Sequence, residues 1–209
     1  MSETESINRK ALFKQQCRSD IMAAAVALFN EYDIHQITMD QIAQKARFSK
    51  GNLYNYFATK DRLIEAILIE KTKTLVACVA SCNDKEGSFK ERLSQTINAL
   101  LENMQREPFT SRLLIGRDIE QYDTEGQVAE NGKKLMILMS ELMALGIESG
   151  HLKALDPTIY VAMLTGSLKS LATFYYGECR ALANAEAPTW HLVDQENTVF
   201  DLFLNGASK

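Results

Sequence analysis

The sequence predicts an all-α fold, a small three-helix domain followed by a larger helical one, with about nine helices across 209 residues. Three observations predict it. Apolar residues recur every three or four positions along successive stretches, the period of helices that each bury one stripe. Only three prolines and ten glycines interrupt the chain, too few for the dense punctuation of a sandwich or barrel. No alternating apolar and polar run of strand length competes with the helical stripes. The chain is long enough to bury a core without disulfides or a structural metal.

The elements follow in order. Phe13, Cys17, Ile21, Ala25, Leu28, Phe29 and Tyr32 place a first helix over residues 13–32. After a break at Asp33–Gln36, Thr38-Met39-Asp40-Gln41 reads as a capping box. In it the Thr38 hydroxyl accepts from the Gln41 backbone N–H while the Gln41 side chain reaches back. A second helix therefore starts near Met39, buries Ile42, Ala43 and Ala46, and ends around Arg47. Ser49 offers the next N-cap, for a third helix over Lys50–Tyr56. Thr59 caps a fourth, whose stripe Leu63, Ile64, Ile67, Leu68 and Leu75 runs toward Cys82. Beyond a turn at residues 83–88, Phe89, Leu93, Ile97, Leu100, Leu101 and Met104 mark a fifth helix that Pro108 ends. A sixth is expected over Thr110–Gln121, and a seventh over Glu125–Glu148 closed by Gly150. Asp156-Pro157 starts an eighth reaching Leu182, with Asp as cap and Pro in the first turn. Pro188 ends the next loop, and Val193, Val199, Phe200 and Phe203 line the ninth.

Two short helices three or four residues apart, preceded by a longer one, form a helix-turn-helix. At two turns each they depend on the first helix packing across them. The net charge of −4 argues against a nucleic-acid partner until its distribution is considered. Residues 7–62 hold nine Lys/Arg against five Asp/Glu, leaving fourteen against twenty-two elsewhere, so a part of charge +4 stands against −8 in the remaining residues. That polarity suits a small phosphate-facing domain joined to a larger one that does not touch DNA. No run of about 18 uncharged apolar residues exists. The first fifteen residues carry charge where a secretory signal needs an apolar stretch, so a cytoplasmic protein with no membrane partner is expected. Cys17, Cys78, Cys82 and Cys179 are too scattered for a disulfide framework. Cys78 and Cys82 share a helical face, but no neighbouring ligand pair completes a zinc set, so no metal or cofactor is expected.

The segment AAAVALFNEYDIHQITMDQIAQKARFSKGNLYNYFATKDRLIEAIL resembles the DNA-binding domain of the TetR/AcrR family of bacterial transcriptional regulators. The residues that carry the resemblance are Ala25, Leu28, Phe29, Thr38, Ile42, Ala43, Ala46, Ser49, Leu53, Tyr54, Tyr56, Phe57, Lys60 and Leu63. Asp33 stands where that family usually has glycine, and Arg47-Phe48 stand where it has valine or glycine-valine; aspartate tolerates the left-handed turn conformation. The resemblance implies a helix-turn-helix DNA-binding domain over 8–58 and a regulatory domain over 59–209 that binds an effector and dimerises, and helix 4 is expected to join them rigidly.

On a reading helix, small and polar residues face the base edges while the opposite side is anchored. Leu53 and Phe57, four apart, form the anchor, with Tyr54 expected to pack at its edge. Ser49 caps the helix and Gly51 lets backbone and DNA approach closely. Lys50, Asn52 and Asn55 face outward, lysine suited to guanine acceptors and asparagine to the paired contact with adenine. Tyr56 and Lys60 are placed for phosphates, as the resemblance implies for both, and Thr38 adds a phosphate contact at the start of helix 2. Arg9, Lys10 and Lys14 are either a DNA-reaching arm or a solvated basic tail.

For the larger part, the resemblance implies homodimerisation through the last two long helices and a small-molecule effector that releases a repressor from a palindromic operator. Ala162, Gly166, Ser167 and Ser170 keep helix 8 small enough for close approach, and Phe200 and Phe203 give helix 9 apolar bulk. An apolar effector site is expected between helices 4 and 8, with Met104, Phe109, Met136, Met139, Met143, Tyr160, Phe174 and Tyr175 as candidate lining. Arg112, Arg117, Asp118 and Glu120 either meet a polar ligand group or pair on the surface. Control by a protein partner or by cysteine oxidation stays open. A helical enzyme is the remote alternative, since His35, His151 and His191 have no metal-spaced partners.

Overall fold

The computed structural model describes residues 3–84, 86–115, 121–181 and 191–207. Among them it holds nine α-helices and no strand. They are α1 (Glu3–Glu31), α2 (Met39–Ala46), α3 (Lys50–Tyr56), α4 (Lys60–Asn83), α5 (Phe89–Arg106), α6 (Pro108–Ile115), α7 (Gln127–Glu148), α8 (Pro157–Ala181) and α9 (Glu196–Ala207), the last entered through a 3-10 turn, Leu192–Gln195. Residues 116–120 of the expected helix 6, Arg117, Asp118 and Glu120 among them, and Leu182 and Pro188 lie outside the described residues.

The chain divides into two compact units, Met1–Leu68 and Ile69–Lys209, with α4 contributing its first turns to one and the rest to the other. In the first unit α1 packs on α2 and α2 on α3, around Ile21, Ala25, Phe29, Ile42, Leu53, Phe57 and Leu63, each at most 2% exposed. The stripe read for the first helix is buried at Cys17, Ile21, Ala25 and Phe29, half-buried at Leu28 and exposed at its two ends, Phe13 and Tyr32. Phe13 is 70% exposed and every residue from Arg9 to Gln16 is exposed, so those turns have no core beneath them.

Local chemistry sets the boundaries of α2. The Thr38 capping box forms as read, with the Gln41 N–H donating to Thr38 Oγ1 at 3.3 Å and the Thr38 N–H to Gln41 Oε1 at 2.8 Å. The helix ends on Arg47, in the left-handed region at φ 61°, with the Phe48 N–H returning to the Ala43 carbonyl at 2.9 Å. This six-to-one closure usually places glycine where Arg47 stands. The left-handed residue is thus Arg47. Asp33 instead uses its carboxylate to accept the His35 N–H at 2.8 Å, so the turn needs no positive φ there.

The second unit is centred on α5, which packs against α6, α7, the 3-10 turn and α9, while α7 lies along α8. Phe89, Leu93, Ile97, Leu101, Met139, Met143, Tyr160, Leu164 and Leu168 form its core, each at most 2% exposed. A Cβ at Gly146 would come within 2.6 Å of the Phe89 ring and 2.9 Å of Leu152, so glycine is required for that approach. At α8 the Asp156 carboxylate accepts from the Thr158 N–H at 2.8 Å, the cap that Asp-Pro signals. No helix among the described residues is long and apolar enough to cross a membrane.

Candidate functional site

The first unit presents one polar face along α3. Ser49 Oγ accepts the Asn52 N–H at 3.3 Å and opens the helix, while Leu53 and Phe57 are buried and hold it down. Its far end is tied to α1, where Arg18 donates to the Tyr56 carbonyl at 3.0 Å and lays its guanidinium 4.3 Å from the Phe57 ring centroid. Between these anchors Lys50, Gly51, Asn52, Tyr54 and Asn55 are exposed, as are Thr38 and Ser49 beside them. The Asn52 and Asn55 amides have no partner among the described residues and keep both donor and acceptor available. A Cβ at Gly51 would meet nothing within 4 Å, so nothing in the chain's own packing requires a glycine in the first turn of α3.

Four placements differ from expectation. Tyr54 was expected against the neighbouring helices but is 42% exposed, because Leu53 and Phe57 already fill the buried side and Tyr54 lies about 100° around from Leu53. Tyr56 is half-buried, its ring edge-on to Phe48 at 6.0 Å. Its hydroxyl hydrogen-bonds the Cys17 thiol, which raises the phenol above its ordinary pKa. Lys60 does not project outward: its ammonium donates to the carbonyls of Ile34 at 2.8 Å and Ile37 at 3.0 Å, closing the link between α1 and α2. Lys50 pairs with Asp40 of α2 at 2.8 Å, a hydrogen bond that raises the lysine pKa, and both side chains are more than half exposed, so the pair is readily exchanged for a phosphate. Arg18 and Asp40 are the site residues that sequence reasoning left out, and no local signal marks them, since Arg18 meets Tyr56 across 38 positions of chain.

Residues 21–67 match the family described as bacterial regulatory proteins, tetR family. The chain belongs to the TetR family. RutR of Escherichia coli (strain K12), an HTH-type transcriptional regulator, is 28% identical over 159 residues, covering 74% of this chain and 73% of RutR. The fatty acid degradation regulator FadR from Bacillus halodurans superposes with a TM-score of 0.72 at 23% identity, over 90% of this chain and 98% of that one. The transcriptional regulator FadR from Bacillus subtilis, solved in complex with stearoyl-CoA, gives 0.73 at 20% identity with the same coverage. This TetR-family protein is a DNA-binding transcriptional regulator, and its relatives and structural neighbours are regulators, not enzymes.

Within Ile69–Lys209 the TetR-family chain encloses a mostly apolar cavity of about 480 Å³, in the range of small-molecule sites. Thr72, Leu75 and Val76 of α4 and Thr165, Leu168 and Lys169 of α8 form two walls, as expected. The remainder comes from α5 (Leu100, Asn103, Met104), α6 (Ser111, Leu114), α7 (Val128, Ala129, Asn131, Gly132, Leu135, Met139) and Asp123 just ahead of α7. Of the eight candidate lining residues only Met104 and Met139 are in that wall. Met143 and Tyr160 are core, the Tyr160 hydroxyl donating to the Lys153 carbonyl at 3.0 Å, and Phe109 is buried in α6 away from the cavity. Tyr175 packs edge-on to Tyr176 at 5.2 Å, while Met136 and Phe174 are 41% and 54% exposed. Helical spacing marks a residue as one of a stripe; it does not distinguish a stripe facing a void from one facing core or an outer surface.

Proposed function

We propose that the protein is a homodimeric repressor, cytoplasmic, that binds a palindromic operator through two copies of α3 and is released by a small, largely apolar effector in the cavity. Residues 8–58 serve as the reading domain and 59–209 as the regulatory one. The observation that carries this reading is α4: the helix that starts beside the reading unit also contributes Thr72, Leu75 and Val76 to the cavity wall. An effector that prefers one arrangement of α4 shifts the population of DNA-competent dimers in proportion to that preference.

On α3, Asn52, Asn55 and Lys50 read base edges, Gly51 permits close approach, Thr38, Ser49 and Tyr54 contact the sugar-phosphate backbone, and Tyr56 and Lys60 stand at the margin of that surface. The dimer reading is supported by the outer face of α8 and α9. Ile159, Met163 and Leu202 are 46%, 50% and 71% exposed, around Gly166, Ser167 and Ser170, whose small side chains permit close helix approach. A twofold axis through such a pair yields two half-sites of opposite orientation.

The test is selection of bound duplexes from a random pool by the full-length protein, followed by a screen of apolar metabolites for operator release. Acyl-CoA thioesters come first in that screen because the Bacillus subtilis FadR neighbour was solved with one. The expected result is an inverted repeat and a ligand that loosens binding. A motif without dyad symmetry, or operator binding that no ligand of the screen alters while thiol oxidation abolishes it, refutes the reading.

A further inference from the structure

The polar groups of the cavity wall can be accounted for one by one, and almost all are already spent. The Asp123 carboxylate accepts the Val128 and Ala129 N–H groups at 3.0 and 2.8 Å, so its charge is committed to the N-terminus of α7. The Asn131 amide N–H group donates to Thr72 Oγ1 at 2.9 Å and the Ile69 carbonyl at 3.4 Å. Thr165 and Ser111 return their hydroxyls to the carbonyls of Val161 at 2.6 Å and Met104 at 3.4 Å. The donors left over are the Asn103 amide and the Lys169 ammonium, neither of which has a side-chain partner among the described residues. An apolar chamber whose unspent polarity is one cation and one amide, with no unspent anion, complements a particular kind of molecule.

We infer that the cavity takes an amphiphile with an apolar body and one anionic head, a carboxylate or a phosphate, met at the wall by Lys169 with Asn103 beside it as second donor. This rests on the reading of the cavity as the effector site. The body displaces water from the surfaces of Leu75, Leu100, Leu135 and Met139, and supplies affinity without selectivity. The head supplies selectivity, since a charge-assisted hydrogen bond is stronger than a neutral one and a cationic head meets repulsion. The exposed position of Lys169 keeps the head near water, which spares it the full cost of burying a charge.

The experiment titrates the full-length protein by calorimetry with four probes of equal chain length: decanoate, decyl phosphate, decan-1-ol and decyltrimethylammonium. The two anions are expected to bind about tenfold more tightly than the alcohol, the difference one charge-assisted hydrogen bond makes. The cation is expected to bind no better than the alcohol. Lys169→Met removes the anion advantage and leaves the alcohol affinity in place. Whichever anion binds more tightly identifies the head. Equal affinities for all four probes, or a loss in Lys169→Met that is the same for alcohol and anion, overturns the inference. Gly132→Leu separates that failure from failure of the cavity reading. A Cβ at Gly132 meets nothing within 4 Å, so the larger side chain enters open space without disturbing the fold. It should block every probe; binding that survives it, or no binding by any probe to the unaltered protein, overturns both.

Discussion

At the scale of single residues, Gly51 and Lys60 pose opposite questions. A helical glycine costs stability relative to alanine, and no neighbour in the chain demands one at position 51. Gly51→Ala should therefore stabilise the fold by about 0.5–1 kcal/mol. The same change should weaken operator binding by about 1–3 kcal/mol, the scale of one lost groove contact. Chemical denaturation and operator titration measure the two effects, and a variant that is stabilised with unchanged DNA affinity would remove Gly51 from the interface. Lys60, by contrast, spends two of its three N–H donors on the carbonyls of Ile34 and Ile37. If that is its main work, Lys60→Met lowers operator affinity while the slope of log K against log salt stays the same. Had it neutralised a phosphate, the slope would fall by about 0.9 and random DNA would lose affinity in parallel. The salt series on operator and random duplex decides between the two.

At the scale of elements, caps govern where the helices begin and end. Arg47 closes α2 at φ 61°, where a β-carbon is strained and glycine is not. Arg47→Gly should raise unfolding stability by about 1 kcal/mol, read as a higher denaturation midpoint with an unchanged m-value. The starts of α5 and α8 carry a pH dependence. Glu91 accepts from the Ser88 N–H and hydroxyl, and Asp156 from the Thr158 hydroxyl and N–H, which lowers both carboxyl pKa values. A carboxyl whose folded pKa lies below its unfolded one contributes stability that is complete above the ordinary carboxylate range and is lost as pH falls through the lowered value. The thermal midpoint should thus decline on acidification below about pH 4, and less so in Glu91→Gln with Asp156→Asn; equal acid sensitivity in that variant and its parent would count against the caps. These ends are also what the sequence discloses most fully. Thr38, Ser49 and Asp156 act on residues two or three positions away, so their effect is written locally, and α3 spans the residues that Ser49 and the Leu53–Phe57 spacing indicate. Lys60, Arg18 and the walls of the cavity depend on partners that only the fold brings close. The outward Tyr54 and the unlined Tyr160 were misplaced for that reason.

At the scale of the whole molecule, the DNA reading requires two chains, and the exposed apolar face of α8 and α9 supplies a means of joining them. Met163 and Leu202 are 50% and 71% exposed and line one groove between these helices. An aspartate at either position costs an isolated chain little, since the side chain stands in water. In a dimer it buries an unpaired charge at the centre of the contact, which the association cannot tolerate. Met163→Asp and Leu202→Asp should therefore leave the thermal fold cooperative but convert a dimer to a monomer in light scattering at micromolar concentration. Operator affinity should fall by at least about a hundredfold, because the second recognition helix no longer binds as an intramolecular partner of the first. Affinity for a single half-site should stay the same, which separates loss of pairing from damage to α3. If both variants remain dimeric, the subunits meet elsewhere and the apolar face of α8 and α9 needs another explanation.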